Sequence, residues 1–117
     1  NVEEFRDYCI AKKGVTESFP FDESTLVFKV MGKMFALCSL ERLPAQAIKM
    51  DLERTIALRE EYEGLIILGY HMSKIHWNNV MLEDRIPRTL LLELMEHSYE
   101  LVVSKFTKKL KAALAAL

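Results

Sequence analysis

Leu26-Val-Phe-Lys-Val-Met-Gly-Lys-Met-Phe-Ala-Leu-Cys38 decides the fold class of this chain. In its first half Leu26, Phe28 and Val30 alternate with Val27, Lys29 and Met31, the period-two pattern of a strand. Gly32 supplies the turn, because glycine reaches the positive-φ conformations that tight hairpin loops require. Met34 to Cys38 then runs back as a second strand. Two strands joined this tightly must be antiparallel, so the chain is built around hairpins rather than parallel crossover units.

On the N-terminal side, Asn1 suits the cap of a helix in which Val2, Phe5, Cys9 and Ile10 share one face, and Gly14 is placed to stop it. The stretch from Val15 to Ser24 contains Pro20 between Phe19 and Phe21, and a loop without regular structure is expected there. On the C-terminal side, Gln46, Ile48 and Met50 alternate with Ala47 and Lys49 as a third strand after a turn near Pro44. Asp51 suits the cap of a helix from Leu52 to about residue 62 (Tyr62), closed by Gly64. Leu65 to Leu68 and Trp77 to Leu82 are short strands joined by Gly69 to His76. Pro87 fits the first position of a final helix whose inner face holds Leu91, Leu94, Ser98, Leu101, Val102 and Phe106. The same spacing continues to Leu110 and Leu114, which predicts one long helix bending near His97. The element order is therefore α-β-β-β-α-β-β-α, and the chain is an α+β protein.

With 117 residues, residues 1–117 are expected to form a single domain. Half the residues are hydrophobic and 28% charged, a globular balance that excludes a disordered chain. Sixteen basic against seventeen acidic residues give a net charge of −1, so no global positive field draws in nucleic acid, and any such contact must come from local patches. Cys9 and Cys38 are too few for a disulfide framework, and a reduced, cytoplasmic protein is the simpler expectation. The acidic start does not resemble a signal sequence, and no apolar run reaches the length of a membrane span, so no membrane association is expected.

The connection from Gly69 to His76 carries two of the three histidines and leads into the only tryptophan. Imidazole and aromatic groups are unusual at a hairpin tip, where Gly, Asn and Asp normally serve. His71, His76 and His97 could be imagined as a metal triad, but neither a Cys-x-x-Cys nor a His-Glu-x-x-His spacing is present. They are read as structural imidazoles, with no metal and no cofactor expected. Glu17 and Asp22 flank Phe19 to Phe21 as a loop clamp rather than an acid/base pair, because no nucleophile accompanies them. Ser98 lacks a nucleophile elbow and is read as a small packing residue. Tyr99 is expected to pack against the sheet, and no enzyme activity is predicted.

The lysines are more suggestive. Lys29 and Lys33 flank the first hairpin turn, and Lys74 sits on the second. Lys105, Lys108, Lys109 and Lys111 crowd the final helix, with Lys105, Lys108 and Lys109 on one face. Two hairpins projecting from the same edge would present two positive wings; a solvated helix end whose lysines favour the helix dipole is the alternative.

Three blocks carry a family resemblance. They are Gly14-Val-Thr-Glu-Ser-Phe-Pro-Phe21 running into Leu26 to Leu37, Leu58-Arg-Glu followed by Gly69-Tyr-His-Met-Ser-Lys-Ile-His-Trp-Asn-Asn-Val80, and His97-Ser-Tyr-Glu-Leu-Val102. Together they resemble the MmcQ/YjbR-like proteins along nearly the whole chain. Lys13, Leu68, Ser73 and Ile75 depart from the family pattern, and Ile75 removes a positive charge from the second tip. The resemblance implies a two-layer fold, with a five-stranded antiparallel sheet packed by helices, similar to type III secretion chaperones. It also implies a double-wing DNA-binding role. On that basis Lys29, Lys33, Lys74, His71, His76 and Trp77 are the expected nucleic-acid contacts, lysines on phosphates and aromatics on sugar or base, with largely non-specific affinity. The alternative is a protein-interaction or chaperone-like module that receives a partner segment on a sheet edge or apolar groove, as a monomer or a homodimer.

Overall fold

The computed structural model describes residues 2–21, 23–39, 45–49, 52–61, 66–68, 77–81 and 87–117. In chain order they form α1 (Val2–Ala11), β1 (Val15–Ser18), β2 (Thr25–Val30), β3 (Lys33–Ser39), β4 (Ala45–Lys49), α2 (Leu52–Glu61), β5 (Ile66–Leu68), β6 (Trp77–Met81), α3 (Arg88–Ser104) and α4 (Lys108–Ala115). The protein is a mixed α+β fold. Its sheet runs β1-β2-β3-β4-β6-β5, and each neighbouring pair is antiparallel.

Two features differ from the five-strand, three-helix expectation. The first is β1, which lies in the segment read as a loop and makes the sheet six-stranded. Pro20 ends that strand rather than excluding it, and residues 16–18 are exposed, so no apolar alternation betrays the strand. The second is the last helix, which does not run on to Leu114 in one piece but stops at Ser104. Thr107 then starts α4 afresh, its hydroxyl accepting a hydrogen bond from the Leu110 amide at 3.2 Å. Pro87 stands at the cap position, one residue before the helix it was expected to open. The expected caps Asn1 and Asp51 lie outside the described residues.

The first hairpin closes through Met31 and Gly32, with φ of 50° and 83°, the sign pattern of a type I′ turn. Past the turn, the register slips by one residue between Phe28 and Lys29, so that Phe28 faces Ala36 while Lys29 faces Met34. Phe35 is the extra residue of this bulge. Strict alternation would send Phe35 and Ala36 to opposite faces; the bulge puts both in the same core cluster. The helix-covered face joins Phe5 and Cys9 of α1, Leu26, Phe28 and Val30 of β2, Phe35, Ala36 and Cys38 of β3, and Leu91, Leu94, Met95, Tyr99 and Val102 of α3. Phe28 receives Phe5 edge-on at 6.1 Å, and Phe35 meets the Tyr99 ring at 5.6 Å and 88°. Val27 and Leu37 form a smaller buried pair, with Met34 packed beside them.

Ser98 was expected only to pack. It is fully buried, and its hydroxyl donates to the Phe35 carbonyl at 2.5 Å. Phe35 has no register partner on β2 or β4, so α3 supplies through Ser98 a donor to the strand residue that pairing leaves out. Tyr99 also anchors more than its ring, donating its hydroxyl to the Lys13 carbonyl at 2.6 Å. Lys12 pairs with Glu96 and lies 4.9 Å from the Tyr99 ring centre, while Lys13 donates from Nζ to the Ala115 carbonyl at 2.9 Å. The α1–β1 turn is thereby tied to both C-terminal helices.

Burial carries an alkaline signature. It raises the Cys9 thiol above its ordinary 9.0, with Cys38 adding to the rise. It raises the Tyr99 phenol above 10.0, Lys12 pulling the other way and Glu96 pushing further up. Both groups hold their protons more tightly in the folded chain, so the stability they contribute is complete below the unfolded values and is lost as pH climbs through the folded ones. The melting temperature is expected to be flat between about pH 7 and 8.5 and to fall above about pH 9, with Cys9→Ala removing part of the slope. A melting temperature constant up to about pH 11 would contradict this account of the core.

Candidate functional site

Lys33 opens β3 beside the hairpin turn and is exposed. Lys105 follows the last residue of α3, in the corner where the backbone leaves the helix and α4 has not yet begun. The two lysines line one cleft of about 210 Å³, together with Met34, Val102 and Phe106. The corner owes its shape to closing bonds from the Lys105 amide to the Val102 carbonyl and from the Phe106 amide to the Val103 carbonyl. These leave Phe106 half-buried, packed against the core on one side and lining the cleft on the other. Among the described residues neither Lys33 nor Lys105 makes an ion pair, whereas Lys12, Arg6 and Arg88 are matched to Glu96, Glu17 and Glu4.

Strand registers extend this end of the molecule. Val30 pairs with Lys33 beside the first turn, Ala36 with Ile48, and Lys49 with Trp77. The β2–β3 turn, the end of β4 and the start of β6 therefore share one end of the sheet. Adjacent strands lie about 4.8 Å apart, so β3 and β6, separated by β4, are about 10 Å apart there.

The expected site residues fall out as follows. Lys33 is on the cleft, and Lys29 is half-buried on β2 opposite Met34. Trp77 opens β6 at the same end. His71, Lys74 and His76 lie outside the described residues. His97 is half-buried on α3, and among the described residues no group of three or more His, Cys, Asp or Glu is placed to hold a metal ion. Glu17 receives Arg6 through both carboxylate oxygens, at 2.8 and 2.6 Å, which joins α1 to β1. As an exposed pair it contributes under about 1 kcal/mol, and its role is orientation. Sequence reasoning named Lys33 and Lys105 as members of separate patches and counted Phe106 as an inner-face residue. Their convergence arises from helix docking, which no local spacing encodes.

Chemically, the cleft offers two cations and an apolar floor. Its lining among the described residues includes no carboxylate, imidazole or thiol that could move a proton or attack a carbonyl. It is equipped to bind an anion that carries an apolar portion.

The model of the YjbR family matches residues 10–101, most of the chain. This protein belongs to the YjbR family. It is 27% identical over 117 residues to the uncharacterised protein YjbR of Escherichia coli K12, covering 99% of this chain and 98% of that one. It is 36% identical over 92 residues to the uncharacterised protein YbdF of Escherichia coli O157:H7, covering 78% of this chain and 75% of that relative. The crystal structure of Deinococcus radiodurans protein DR2400, a DUF419 domain, superposes with a TM-score of 0.92 at 39% identity, over 98% of this chain and 88% of that one. A Pseudomonas syringae protein gives 0.73 at 25% identity, over 86% and 97%. These structural neighbours share the α+β fold. No helix among the described residues is long and apolar enough to cross a membrane.

Proposed function

We propose that this YjbR-family protein is a non-enzymatic binding module that holds nucleic acid by its phosphates, at the end of the sheet where the β2–β3 turn meets the α3–α4 corner. The observation that carries the proposal is the convergence of Lys33 and Lys105, cations without an ion pair among the described residues, on one cleft of a chain whose total charge is −1. A positive site on a neutral molecule is the local patch that phosphate binding needs. Lys29 and the start of β6 at Trp77 lie at the same end of the sheet. Cys9 and Cys38, both buried and neither in a disulfide, suit a reducing, cytoplasmic setting.

Contact with about three to five phosphates predicts a log–log salt slope of about −3 to −5 and mainly sequence-independent affinity. Replacing both Lys33 and Lys105 with glutamate is expected to flatten the slope by about 2 and to weaken binding at least about tenfold at low salt. Anisotropy titration against a labelled oligonucleotide measures both. A wild-type protein that stays unbound at about 50 µM in low salt, or a binding signal indifferent to salt, would sink the proposal.

A second function has its own observation. β1 is an edge strand, and the adjoining Phe19 and Phe21 are 49% and 64% exposed. A chaperone-like module would use that edge to receive an extended partner segment. Capture of a partner from lysate that survives nuclease and is lost on replacing Phe19 and Phe21 with serine would favour it; capture unaffected by those changes would exclude this edge.

A further inference from the structure

We infer that the cleft between the β2–β3 turn and the α3–α4 corner seats one unstacked base of a single-stranded nucleic acid, against Phe106, with the flanking phosphates on Lys33 and Lys105. The inference rests on the phosphate-binding function proposed above and adds the form of the nucleic acid that the site accepts.

Size comes first. At about 210 Å³ the cleft falls below the roughly 300–1,000 Å³ of pockets that enclose a drug-sized ligand or cofactor. It has room for a single ring system. The floor comes second. Met34, Val102 and Phe106 are apolar, and an aromatic beside a thioether is a favourable surface for a planar π-system. The cations come third. Lys33 of β3 and Lys105 of the α3–α4 corner both line this cleft, so an anionic strand that laid a base in it would find two cations, one from each element, in the same lining. No acidic side chain lines the cleft among the described residues to repel the strand. In a duplex the faces of the bases are stacked on one another, and an intact helix could use only the lysines. Among the described residues the lining also holds no amide, hydroxyl or carboxylate side chain to read a base edge, which makes the seat tolerant of sequence.

Three probes test this on the intact chain: a single strand of about twelve nucleotides, the matching duplex, and the same single strand carrying abasic sites. The abasic strand keeps every phosphate and loses the rings. The normal strand is expected to bind roughly five- to a hundredfold tighter than the abasic strand, the range measured for one base on an aromatic side chain. Phe106→Leu keeps apolar volume against the core and removes the ring. It is expected to bring the normal strand down to the abasic level while leaving duplex affinity within about twofold. Equal affinity of normal and abasic strands for the wild-type protein overturns the base seat while leaving phosphate binding standing. That comparison needs no variant, so poor folding of Phe106→Leu would not shelter the idea. Absence of binding to all three probes would remove both the seat and the function it rests on.

Discussion

Replacing Phe35 with alanine is expected to cost about 3–5 kcal/mol of folding stability, the usual result of emptying a fully buried aromatic site. Phe35 is 0% exposed and sits where the bulge adds a residue to β3. It is also the ring against which Tyr99 of α3 packs edge-on. A domain of this size has about 5–15 kcal/mol in total, so the variant should unfold at markedly lower urea with an unchanged slope. Phe21, 64% exposed, is the control, and its alanine variant should stay within about 0.5 kcal/mol of the parent. A double-mutant cycle with Tyr99→Ala separates the pair from the cavity, and a coupling of about 0.5–1.5 kcal/mol is expected. A Phe35→Ala loss under about 1 kcal/mol, or no coupling to Tyr99, would show that Phe35 does not face α3.

That bulge marks the limit of what periodicity could deliver. Leu26, Phe28 and Val30 announced β2 because one face is buried under helices, and Gly32 announced the turn because a positive φ is needed there. Beyond the turn, alternation cannot reveal an inserted residue. Nor can it reveal that Ser98, 63 positions further on, donates to that residue's carbonyl. β1 escaped for the opposite reason, since Thr16, Glu17 and Ser18 are exposed and leave no apolar trace. The break before α4 escaped because Leu101, Phe106, Leu110 and Leu114 hold a near-helical spacing across it. Thr107 was the available signal, a capping residue inside an otherwise continuous pattern. The candidate site divides in the same way. Lysine at residues 29, 33 and 105 was visible as charge, and the hairpin gave Lys33 its position. That Lys33, Lys105 and Phe106 line one cleft depends on how the α3–α4 corner docks against the sheet, a long-range fact with no local spacing to announce it.

The docking of α4 has its own test at Gly14, where alanine is expected to destabilise the fold by about 2–5 kcal/mol. Two effects add. Gly14 holds φ at +75°, a left-handed conformation that costs a residue with a Cβ about 1–2 kcal/mol. The new Cβ would also stand 2.6 Å from Cδ1 of Leu114, with Leu117 Cδ1 and Met31 Sδ each at 3.3 Å. Leu114 is the buried residue of α4, only 7% exposed, so moving it disturbs the contact that seats the helix, an overpacking cost of about 1–3 kcal/mol. Gly32 separates the two effects, because it has φ of +83° and nothing within 4 Å of its added Cβ. Its alanine variant should therefore show the backbone cost alone. In a Leu114→Ala background the closest clash is gone, and the excess of Gly14→Ala over Gly32→Ala should shrink to what the two contacts at 3.3 Å leave. Urea midpoints give the energies, and amide exchange along Lys108–Ala115 shows whether α4 loosens with them. Equal losses at Gly14 and Gly32 in the parent chain would mean that α4 does not rest on the α1–β1 turn. The bonds from Lys13 to Ala115 and from Tyr99 to Lys13 make the opposite result the expected one, since they hold that turn between α3 and α4.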